Sequence, residues 1–432
     1  MAGLLRPITA LLIAAAILLM GNGLLGVLIP VRADVEQFSH LEIGLLGSFY
    51  YAGLVAGCLL GPIVIARVGH IRAFVAFTAI VTITPLLHAI WTEPVAWSML
   101  RALNGLCFAG LFMGIESWLC GASTLETRGR VLASYTVVNL TVVTVGMQMM
   151  SIGRPSGFEL FSLVAILYSL AAVPVALTKT TAPVPPKTAR VRPVWLVNVS
   201  PAAVAGCFLT GIANSAFWTL APLYGRSAGF SVAEVAMFMT VAVLGGAASQ
   251  WPIGYLSDRI GRRPLLVTMG ITGGFAGAGL FILGTSSPTA IFPMALLFGC
   301  SAFPIYTLCV AHANDLVHKK RAVEVSSGLL LTFSIGAVIG PLMAGFVMSE
   351  AGHGALFLHT AAAHLLIALV MLVRVKLRPK LPAEHREDFV AVPKTTPTVF
   401  ELDPRAEGAA ASACPSDAAM QPVTEPAAGS QS

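Results

Sequence analysis

The sequence predicts an all-α polytopic membrane protein, with twelve transmembrane helices arranged as two pseudo-symmetric six-helix bundles. Three observations predict this fold. Of the 432 residues, 56% are hydrophobic and only 11% are charged, whereas a soluble protein of this size carries about 25% charged residues. Apolar stretches of about 20 residues, long enough to cross a bilayer, recur along the chain. The two halves of the sequence also repeat each other at one fixed offset.

The apolar stretches are expected to be helices, because a backbone in lipid must satisfy its hydrogen bonds within its own segment. The first stretch follows Arg6-Pro7 and lacks a clear small-residue cleavage site. It is therefore interpreted as an uncleaved span and not as a signal peptide. The predicted spans are 7–31, 43–65, 73–91, 95–120, 131–152 and 157–177 in the first half, and 201–224, 232–257, 265–284, 289–311, 323–349 and 354–374 in the second.

The basic residues between the spans predict the orientation. If the N-terminus is cytoplasmic, fifteen basic residues fall in inner loops and three in outer loops, which places both termini in the cytoplasm. The formal charge of +6 then reflects topology and contact with anionic lipid, and no nucleic-acid partner is expected. The inner residues are Arg6, Arg67, Arg72, Arg128, Arg130, Lys179, Lys187, Arg190, Arg192, Arg259, Arg262, Arg263, Lys319, Lys320 and Arg321, and the outer ones are Arg32, Arg154 and Arg226.

Composition divides the chain into four parts. Residues 1–177 and 201–374 are the two six-helix bundles. The segment 178–200 is rich in proline and basic residues, as expected of a cytoplasmic linker. Residues 375–432 are polar and rich in Ala, Pro, Glu and Ser, which predicts a disordered cytoplasmic tail that need not belong to the transport machinery.

The repeat appears when the sequence is shifted by 192 residues. Identical residues at one offset have the same depth and helical face in both halves, as in transporters whose two halves close alternately over a central site. The matching pairs are Asn22 with Asn214, Pro30 with Pro222, Phe38-Ser39 with Phe230-Ser231, Glu42 with Glu234, Gly53 with Gly245, Arg67 with Arg259 and Gly69 with Gly261.

Two of these pairs lead to different interpretations. Glu42 and Glu234 follow a serine by three residues, the spacing of a helix capping box, and are expected to be structural caps. Asn22 and Asn214 lie inside spans between small residues, where a buried amide needs a partner. That partner is either a neighbouring helix or the substrate.

Catalytic and metal-binding patterns are missing from the sequence. The seven cysteines are scattered without a CxxC spacing, and no HExxH, GxSxG or Walker motif occurs. The cysteines are therefore interpreted as small buried hydrophobes. The chain is expected to be neither an enzyme nor an ATP-driven pump, and to need no cofactor or metal.

The loop after the eighth span resembles the signature loop of the major facilitator superfamily. It consists of Gly254, Asp258, Arg259, Gly261, Arg262 and Arg263 in the pattern GxxxDRxGRR. The resemblance implies a charge network that locks the cytoplasmic gate. The first-half copy keeps Arg67 and Gly69 but has Ala66 in place of the acid, so an asymmetric gate is expected.

The fourth span carries a second resemblance. Arg101-x-x-Asn104-Gly105 is similar to the intramembrane arginine motif of that superfamily, which implies proton coupling. Glu116 lies on the same helix, about 22 Å further along its axis. It is interpreted either as a protonatable coupling acid or as the partner of Arg128 or Arg130 in the next loop.

The antiporter pattern GxxxGPxxGG of proton-linked drug exporters is absent from the fifth span. A related pattern, Gly336-x-x-x-Gly340-Pro341, lies in the eleventh, where tight helix contact explains it. The first half resembles the bacterial YcaD-type branch of the superfamily. The residues that carry this resemblance are Arg6-Pro7, Glu116-Ser117 and Arg128-Gly129-Arg130-x-x-Ala133-Ser134-Tyr135.

These observations predict a monomeric secondary transporter of the inner membrane that moves a small solute by alternating access. Arg101 favours an anion or a polar neutral solute, and both proton coupling and uniport are left open. A multidrug exporter is the alternative within transport, and a membrane sensor that signals through its tail is the alternative outside it. The predicted substrate-binding residues are Asn22, Asn104, Asn214, Trp218 and Tyr306, with Arg101 and Glu116 as coupling residues.

Overall fold

A computed structural model of the chain describes residues 9–124, 126–178, 193–283, 288–318, 321–377 and 389–403. Within these ranges the chain is helical and contains no strand. The helices of the first half are α1 (Thr9–Val35), α2 (His40–Val68), α3 (His70–Ile90), α4 (Pro94–Gly121), α5 (Arg128–Gln148, extended by the 3-10 turn Met149–Ile152) and α6 (Glu159–Ala176). Those of the second half are α7 (Pro201–Ser227), α8 (Val232–Ile260), α9 (Arg262–Leu283), α10 (Pro288–Ala302 and Ile305–Asn314), α11 (Ala322–Ala351) and α12 (Ala355–Leu377).

The structure confirms the twelve predicted spans. Each has a helix long and apolar enough to cross a membrane among the described residues, and no helix end differs from its predicted position by more than four residues. Most helices extend a turn beyond the apolar stretch, because the polar groups that cap a helix lie outside the hydrocarbon layer.

The repeat is visible in the helix ends themselves. Adding 192 to the bounds of α1, 9 and 35, gives 201 and 227, which are the bounds of α7. The same addition converts the bounds of α2 into those of α8. Both α2 and α8 begin with the predicted capping box, in which the serine accepts from the backbone of the glutamate and the glutamate accepts from the backbone of the serine.

Both halves also end this helix pair in the same way. Gly69 and Gly261 have φ values of +85° and +101°, in the region that only glycine adopts without strain. Each glycine reverses the chain between two helices on one side of the molecule. The glycine of the signature loop therefore has a conformational function that its degenerate first-half copy retains.

Helix α10 is not the continuous span that the sequence predicts. It is interrupted at Phe303-Pro304, between Ala302 and Ile305. Proline has no backbone N–H to donate and its ring clashes with the preceding turn, so it breaks a helix. The break lies at the depth of a central cavity, where irregular backbone is tolerated in a membrane protein.

The two halves close against each other on one side. Because twelve spans return the chain to the side from which it started, α1 begins and α12 ends on the same side, which we call the terminal side. On the opposite side, the far side, a Cβ atom at Gly44 of α2 would lie only 2.4 Å from the carbonyl oxygen of Pro341 in α11. The rings of His40 and His353 are 4.4 Å apart there. The contacts between α2 and α11 thus seal the far side.

The segment after α12 differs from the predicted tail. Residues 389–403 form an extended run followed by a 3-10 helix, Pro397–Leu402. We call residues 389–403 the seated segment, because Val399, Phe400 and Leu402 are buried against α4 and α11. A polar composition over the whole tail conceals this short apolar stretch. Residues 378–388 and 404–432, like 179–192 of the predicted linker, lie outside the described part of the chain; the rest of that linker includes a short helix, Pro193–Val199.

Candidate functional site

A cavity of about 360 Å³ lies between the two halves. Helices of both halves and the break in α10 line it, and so do residues 391–395 of the seated segment, toward the terminal side. Such a volume is suited to a small solute. The polar side chains in its wall are those of Asn22, Tyr50, Tyr51, Arg101, Thr136, Asn139, Thr219, Gln250, Lys394 and Thr395.

Arg101 is the central charge of the cavity wall. Its guanidinium lies over the ring of Tyr50, 4.3 Å from the ring centroid, an arrangement that stabilises a cation in an apolar setting. The Nε atom of Arg101 is buried and has no hydrogen-bond partner. A buried donor without a partner is costly, so Arg101 is the group in this wall best prepared to bind an acceptor from a solute.

The structure separates the two repeat-related asparagines. Asn22 of α1 lines the cavity and lies beside Tyr50. Asn214 of α7 is fully buried, does not line the cavity, and neither polar atom of its side chain has a partner. Helices α1 and α7 have equivalent ends, but only α1 turns its asparagine toward the cavity.

An aromatic wall faces Arg101 from the second half. Trp218 lines the cavity, as predicted, and stacks on Phe303 with a centroid distance of 5.8 Å and an interplanar angle of 13°. Phe303 belongs to the break in α10, where the chain leaves helical geometry. The pair presents flat, apolar surface toward a solute that the polar groups of the first half would orient.

Two further predicted residues lie away from the cavity. Asn104 is buried and donates through Nδ2 to the Thr84 hydroxyl of α3, at 3.1 Å. Tyr306 is buried against Phe333, with the two ring centroids 5.2 Å apart. Neither of the two lines the cavity, because packing inside one bundle engages both side chains. Their predicted contact with substrate stays a prediction, to which the lining of this cavity adds no support.

The electrostatic character of the cavity is positive. Arg101 and Lys394 line it, and no aspartate or glutamate is among its described lining residues. Burial lowers the pKa of Lys394 to about 8, because the charged form loses hydration. The wall therefore favours an anion or a polar neutral solute over a lipophilic cation.

Glu116 is bound by the seated segment. The hydroxyl groups of Thr395 and Thr396 each donate to one of its two carboxylate oxygens. The carboxylate meets neither Arg128 nor Arg130 in an ion pair among the described contacts. The other alternative, a protonatable coupling acid, stays a prediction. Arg101 and Glu116 are also kept apart, one in the cavity wall and one on the terminal side.

The signature loop forms a charge cluster within the second half. Arg262 is buried, pairs with Asp258, and donates from Nε to Asp315 at 3.1 Å. Asp258 also accepts a hydrogen bond from the backbone N–H of Phe389, at 3.3 Å. The cluster therefore faces the seated segment, and Gly254 is so close to Phe389 that a Cβ atom would lie 2.4 Å from its ring.

The other gate residues have separate environments. Arg259 lies over the Tyr255 ring at 4.2 Å, and Arg263 donates to His312 at 3.4 Å. In the first half Arg67 is exposed. His70, which corresponds to Arg262 in the repeat, bonds to Ser117 at 2.9 Å. A neutral contact thus stands where the second half has a charge cluster, in agreement with the expected asymmetry.

Sequence reasoning did not identify two parts of the site. Tyr50 and Tyr51 form the platform around Arg101, and two adjacent tyrosines inside the apolar second span were the available signal. The seated segment had a weaker signal, the apolar residues Val399, Phe400 and Leu402 within a polar tail. Only the packing shows that this stretch reaches the cavity.

Comparisons with known proteins agree with the fold. A sequence profile of the Major Facilitator Superfamily matches residues 11–327. The chain is 28% identical over 400 residues to a protein of Shigella flexneri serotype 5b described as the uncharacterized MFS-type transporter YcaD, covering 88% of this chain and 98% of the relative. A YcaD protein of Escherichia coli O139:H28 gives the same identity and the same coverage.

Solved transporters have the same fold. The nucleoside transporter NupG superposes with a TM-score of 0.68 at 15% identity, over 85% of this chain and 99% of that one. The D-xylose–proton symporter gives a TM-score of 0.65 at 13% identity, over 88% and 98%. A bacterial homologue of the lysosomal transporter Spinster, in an inward-facing and occupied conformation, gives 0.67 at 14% identity, over 85% and 94%. At these identities the likeness concerns the fold alone.

Proposed function

The chain belongs to the major facilitator superfamily of membrane transporters, and from this premise we propose that it moves a small organic anion or polar neutral solute across the inner membrane by alternating access. One observation carries the proposal. The cavity between the repeated halves is sealed on the far side, and its polar wall contains Arg101 without a carboxylate. The distribution of basic residues supports a cytoplasmic terminal side, so the cavity would face the cytoplasm.

The binding geometry we propose uses both halves. The Arg101 guanidinium and the Asn22 amide would bind the polar part of the solute, and Trp218 with Phe303 would cover its apolar face. A solute held by groups from both halves stabilises their approach, which is what an alternating transporter requires of its substrate. Closure on the terminal side, with opening on the far side, would complete the cycle.

Proton coupling through Glu116 is a further part of the proposal. Glu116 is a fully buried acid near the terminal-side end of α4, and buried acids within membrane spans often serve as proton sites. Uniport is the alternative. Solute accumulation that ignores an imposed pH gradient in proteoliposomes would remove coupling from the proposal and leave the transporter in place.

A thermal-shift screen of the purified protein tests the binding site. Sugars, nucleosides, amino acids, organic acids and lipophilic cations are compared, because a ligand that binds the folded state raises the melting temperature. We expect an organic anion or polar neutral solute to stabilise the wild type, and Asn22→Ala or Arg101→Gln to reduce its affinity at least tenfold.

Asn214→Ala is the matched control, since it occupies the same repeat position but does not line the cavity. It should retain the ligand-induced shift. Stabilisation by lipophilic cations alone, unchanged in all three variants, would contradict the proposal and favour a multidrug exporter.

The seated segment gives specific support to one alternative, a ligand sensor that signals through its tail, since that tail contacts the cavity. Flux separates the two functions. A transporter moves the stabilising solute into proteoliposomes, whereas a sensor binds it without flux.

A further inference from the structure

The seated segment is held by contacts that differ in chemistry along its length. At its start, the Phe389 N–H donates to Asp258, and the Phe389 ring packs on Gly254. In its middle, the ammonium of Lys394 lies over the rings of Tyr306 and Phe333, 5.5 and 5.3 Å from their centroids. This part of the segment is therefore held by a backbone hydrogen bond to a carboxylate, by apolar packing and by cation–π contacts.

The second half of the segment contacts the other bundle. Thr395 and Thr396 donate to the two oxygens of Glu116, and the thiol of Cys120 lies 3.7 Å from the Glu401 carbonyl oxygen. Glu116 and Cys120 both belong to α4. The segment therefore spans from α8, α10 and α11 in one bundle to α4 in the other.

The geometry has a direct consequence for access. The contacts of α2 with α11 close the far side, and residues 391–395 line the cavity toward the terminal side. A solute that enters from the terminal side therefore meets the segment. The segment also lies between the two bundles, where they would have to approach each other to close this side. The Glu116 carboxylate, which we propose for proton coupling, also accepts hydrogen bonds from the segment.

We propose that residues 389–403 are a tethered ligand of the space between the two bundles on the terminal side, which we call the vestibule. The segment holds the transporter in a resting state, because the bundles cannot close on this side until it is displaced. The proposal that displacement permits a transport cycle rests on the proposed function, but the occupancy of the vestibule does not. The vestibule is on this view a peptide-binding site for an extended sequence with a lysine followed by two hydroxyl side chains.

A tether makes weak binding sufficient. Only eleven residues separate α12 from the segment, and a link of so few residues gives an effective concentration on the order of 1 mM. A peptide with a dissociation constant of about 0.1 mM would then be seated for about 90% of the time. The segment can consequently hold the resting state and still leave when a competing partner or solute binds.

Two truncations test the occupancy, and each uses a native cysteine as reporter. Removing residues 389–432 deletes the seated segment, whereas removing 404–432 leaves it in place. We expect N-ethylmaleimide to modify Cys120, measured by mass spectrometry, at least tenfold faster in the first truncation than in the full chain. The second truncation should behave as the full chain. Cys107, buried deeper in α4, should react equally slowly in all three.

Binding in trans is the second measurement. A fluorescent peptide of sequence FVAVPKTTPTVFELD, residues 389–403, is titrated into the protein truncated after residue 388 and into the full chain. We expect a dissociation constant on the order of 0.1 mM for the truncated protein and at least tenfold weaker binding to the full chain, whose site is occupied.

Matched peptides identify the contact that matters. A peptide that carries both Thr395→Val and Thr396→Val keeps the side-chain shapes but lacks both donors to Glu116. It should bind about tenfold more weakly than the wild-type peptide. Thr398→Val is the control, since Thr398 is buried in the same segment but is not a partner of Glu116 in the described contacts. Equal Cys120 labelling in both truncations, or equal peptide binding by truncated and full-length protein, would overturn the proposal.

These results do not depend on transport. If the peptide binds as expected but no variant shows flux, the tethered ligand stands and the transport function falls. If flux is present but is unchanged by removing residues 389–432, with no peptide binding, the transporter stands and the tethered ligand falls.

Discussion

At the scale of single residues, an identical amide in a repeated sequence does not guarantee an identical environment. Asn22 and Asn214 occupy the same repeat position, yet only Asn22 reaches the cavity. Asn214 keeps two buried polar atoms without partners, which costs free energy.

Lys394 gives a pH prediction at this scale. Its pKa is about 8 when seated and about 10.4 for a free lysine, so the seated segment holds fewer protons than the released one between these values. Relative to a Lys394→Met peptide, the wild-type peptide is therefore expected to bind more tightly as the pH rises through this window, about tenfold from pH 7 to pH 9, with little change from pH 6 to pH 7. The trans-peptide titration measures this directly.

The Lys394→Met peptide is the reference, because Glu116, which accepts from Thr395 and Thr396 of the same segment, is common to both peptides and cancels in the ratio of their affinities. The groups that face the lysine are Tyr306 and Phe333, with the thiols of Cys207 and Cys309 close enough to act on it electrostatically. A ratio of wild-type to Lys394→Met affinity that does not rise between pH 7 and pH 9 would contradict the buried position of this ammonium.

At the scale of helices, close crossings between α2 and α4 are repeated between α8 and α10. A Cβ atom at Gly53 would lie 1.9 Å from the Ala102 carbonyl oxygen, and one at Gly245 would lie 2.4 Å from that of Leu296. Helices in lipid associate through packing rather than through the hydrophobic effect, so small residues at a crossing decide whether they fit. The glycines of α11 act similarly, since a Cβ at Gly336 or Gly340 would lie 2.2 or 2.3 Å from a carbonyl oxygen of α7.

Gly53→Ala tests this crossing. The added methyl must push α2 away from α4, and we expect a loss of about 1–3 kcal/mol in the free energy of unfolding, measured by denaturant titration in detergent. Gly26→Ala is the matched control in α1, where an added Cβ meets nothing within 4 Å. It should cost less than about 0.5 kcal/mol, and comparable losses in both variants would refute the role of the close crossing.

At the scale of the whole molecule, the two bundles are connected differently on the two sides. The far side is closed by direct helix contact, whereas on the terminal side the bundles are connected through the seated segment. A rocker mechanism exchanges these two closures. Among the described residues, the far side is where helices of the two bundles close directly on each other. The proposed rocking mechanism requires this contact to open in every cycle.

Cross-linking the far side tests this requirement. His40 of α2 and His353, just after α11, have ring centroids 4.4 Å apart, so cysteines at both positions are within reach of a short bis-methanethiosulfonate cross-linker, if not of a direct disulfide. We expect His40→Cys/His353→Cys protein, once cross-linked by oxidant or by this reagent, to lose solute flux in proteoliposomes and to regain it on reduction. Either single variant should be insensitive to oxidant, and flux that survives a complete cross-link would exclude rocking about this contact.

Much of the fold could be predicted because its causes are local. Each span needs only enough consecutive apolar residues to cross the bilayer, and each capping box needs only Ser and Glu at the right spacing. The repeat then relates the two halves, as the shared helix ends of α1 with α7 and α2 with α8 confirm. The break in α10 was missed, although Pro304 marks it, because proline also occurs in intact helices here, as Pro30 does in α1.

The sequence by itself therefore determined the number, length and pairing of the helices, since hydropathy and repetition are properties of the chain. Only the tertiary structure decided which polar groups meet in the cavity, because that depends on the rotation of packed helices, as with Asn22 and Asn214. The partner of Glu116 lies 279 residues away at Thr395. No local pattern encodes a contact between a span and a tail at such a distance, and it forms only where two bundles leave a vestibule of suitable shape.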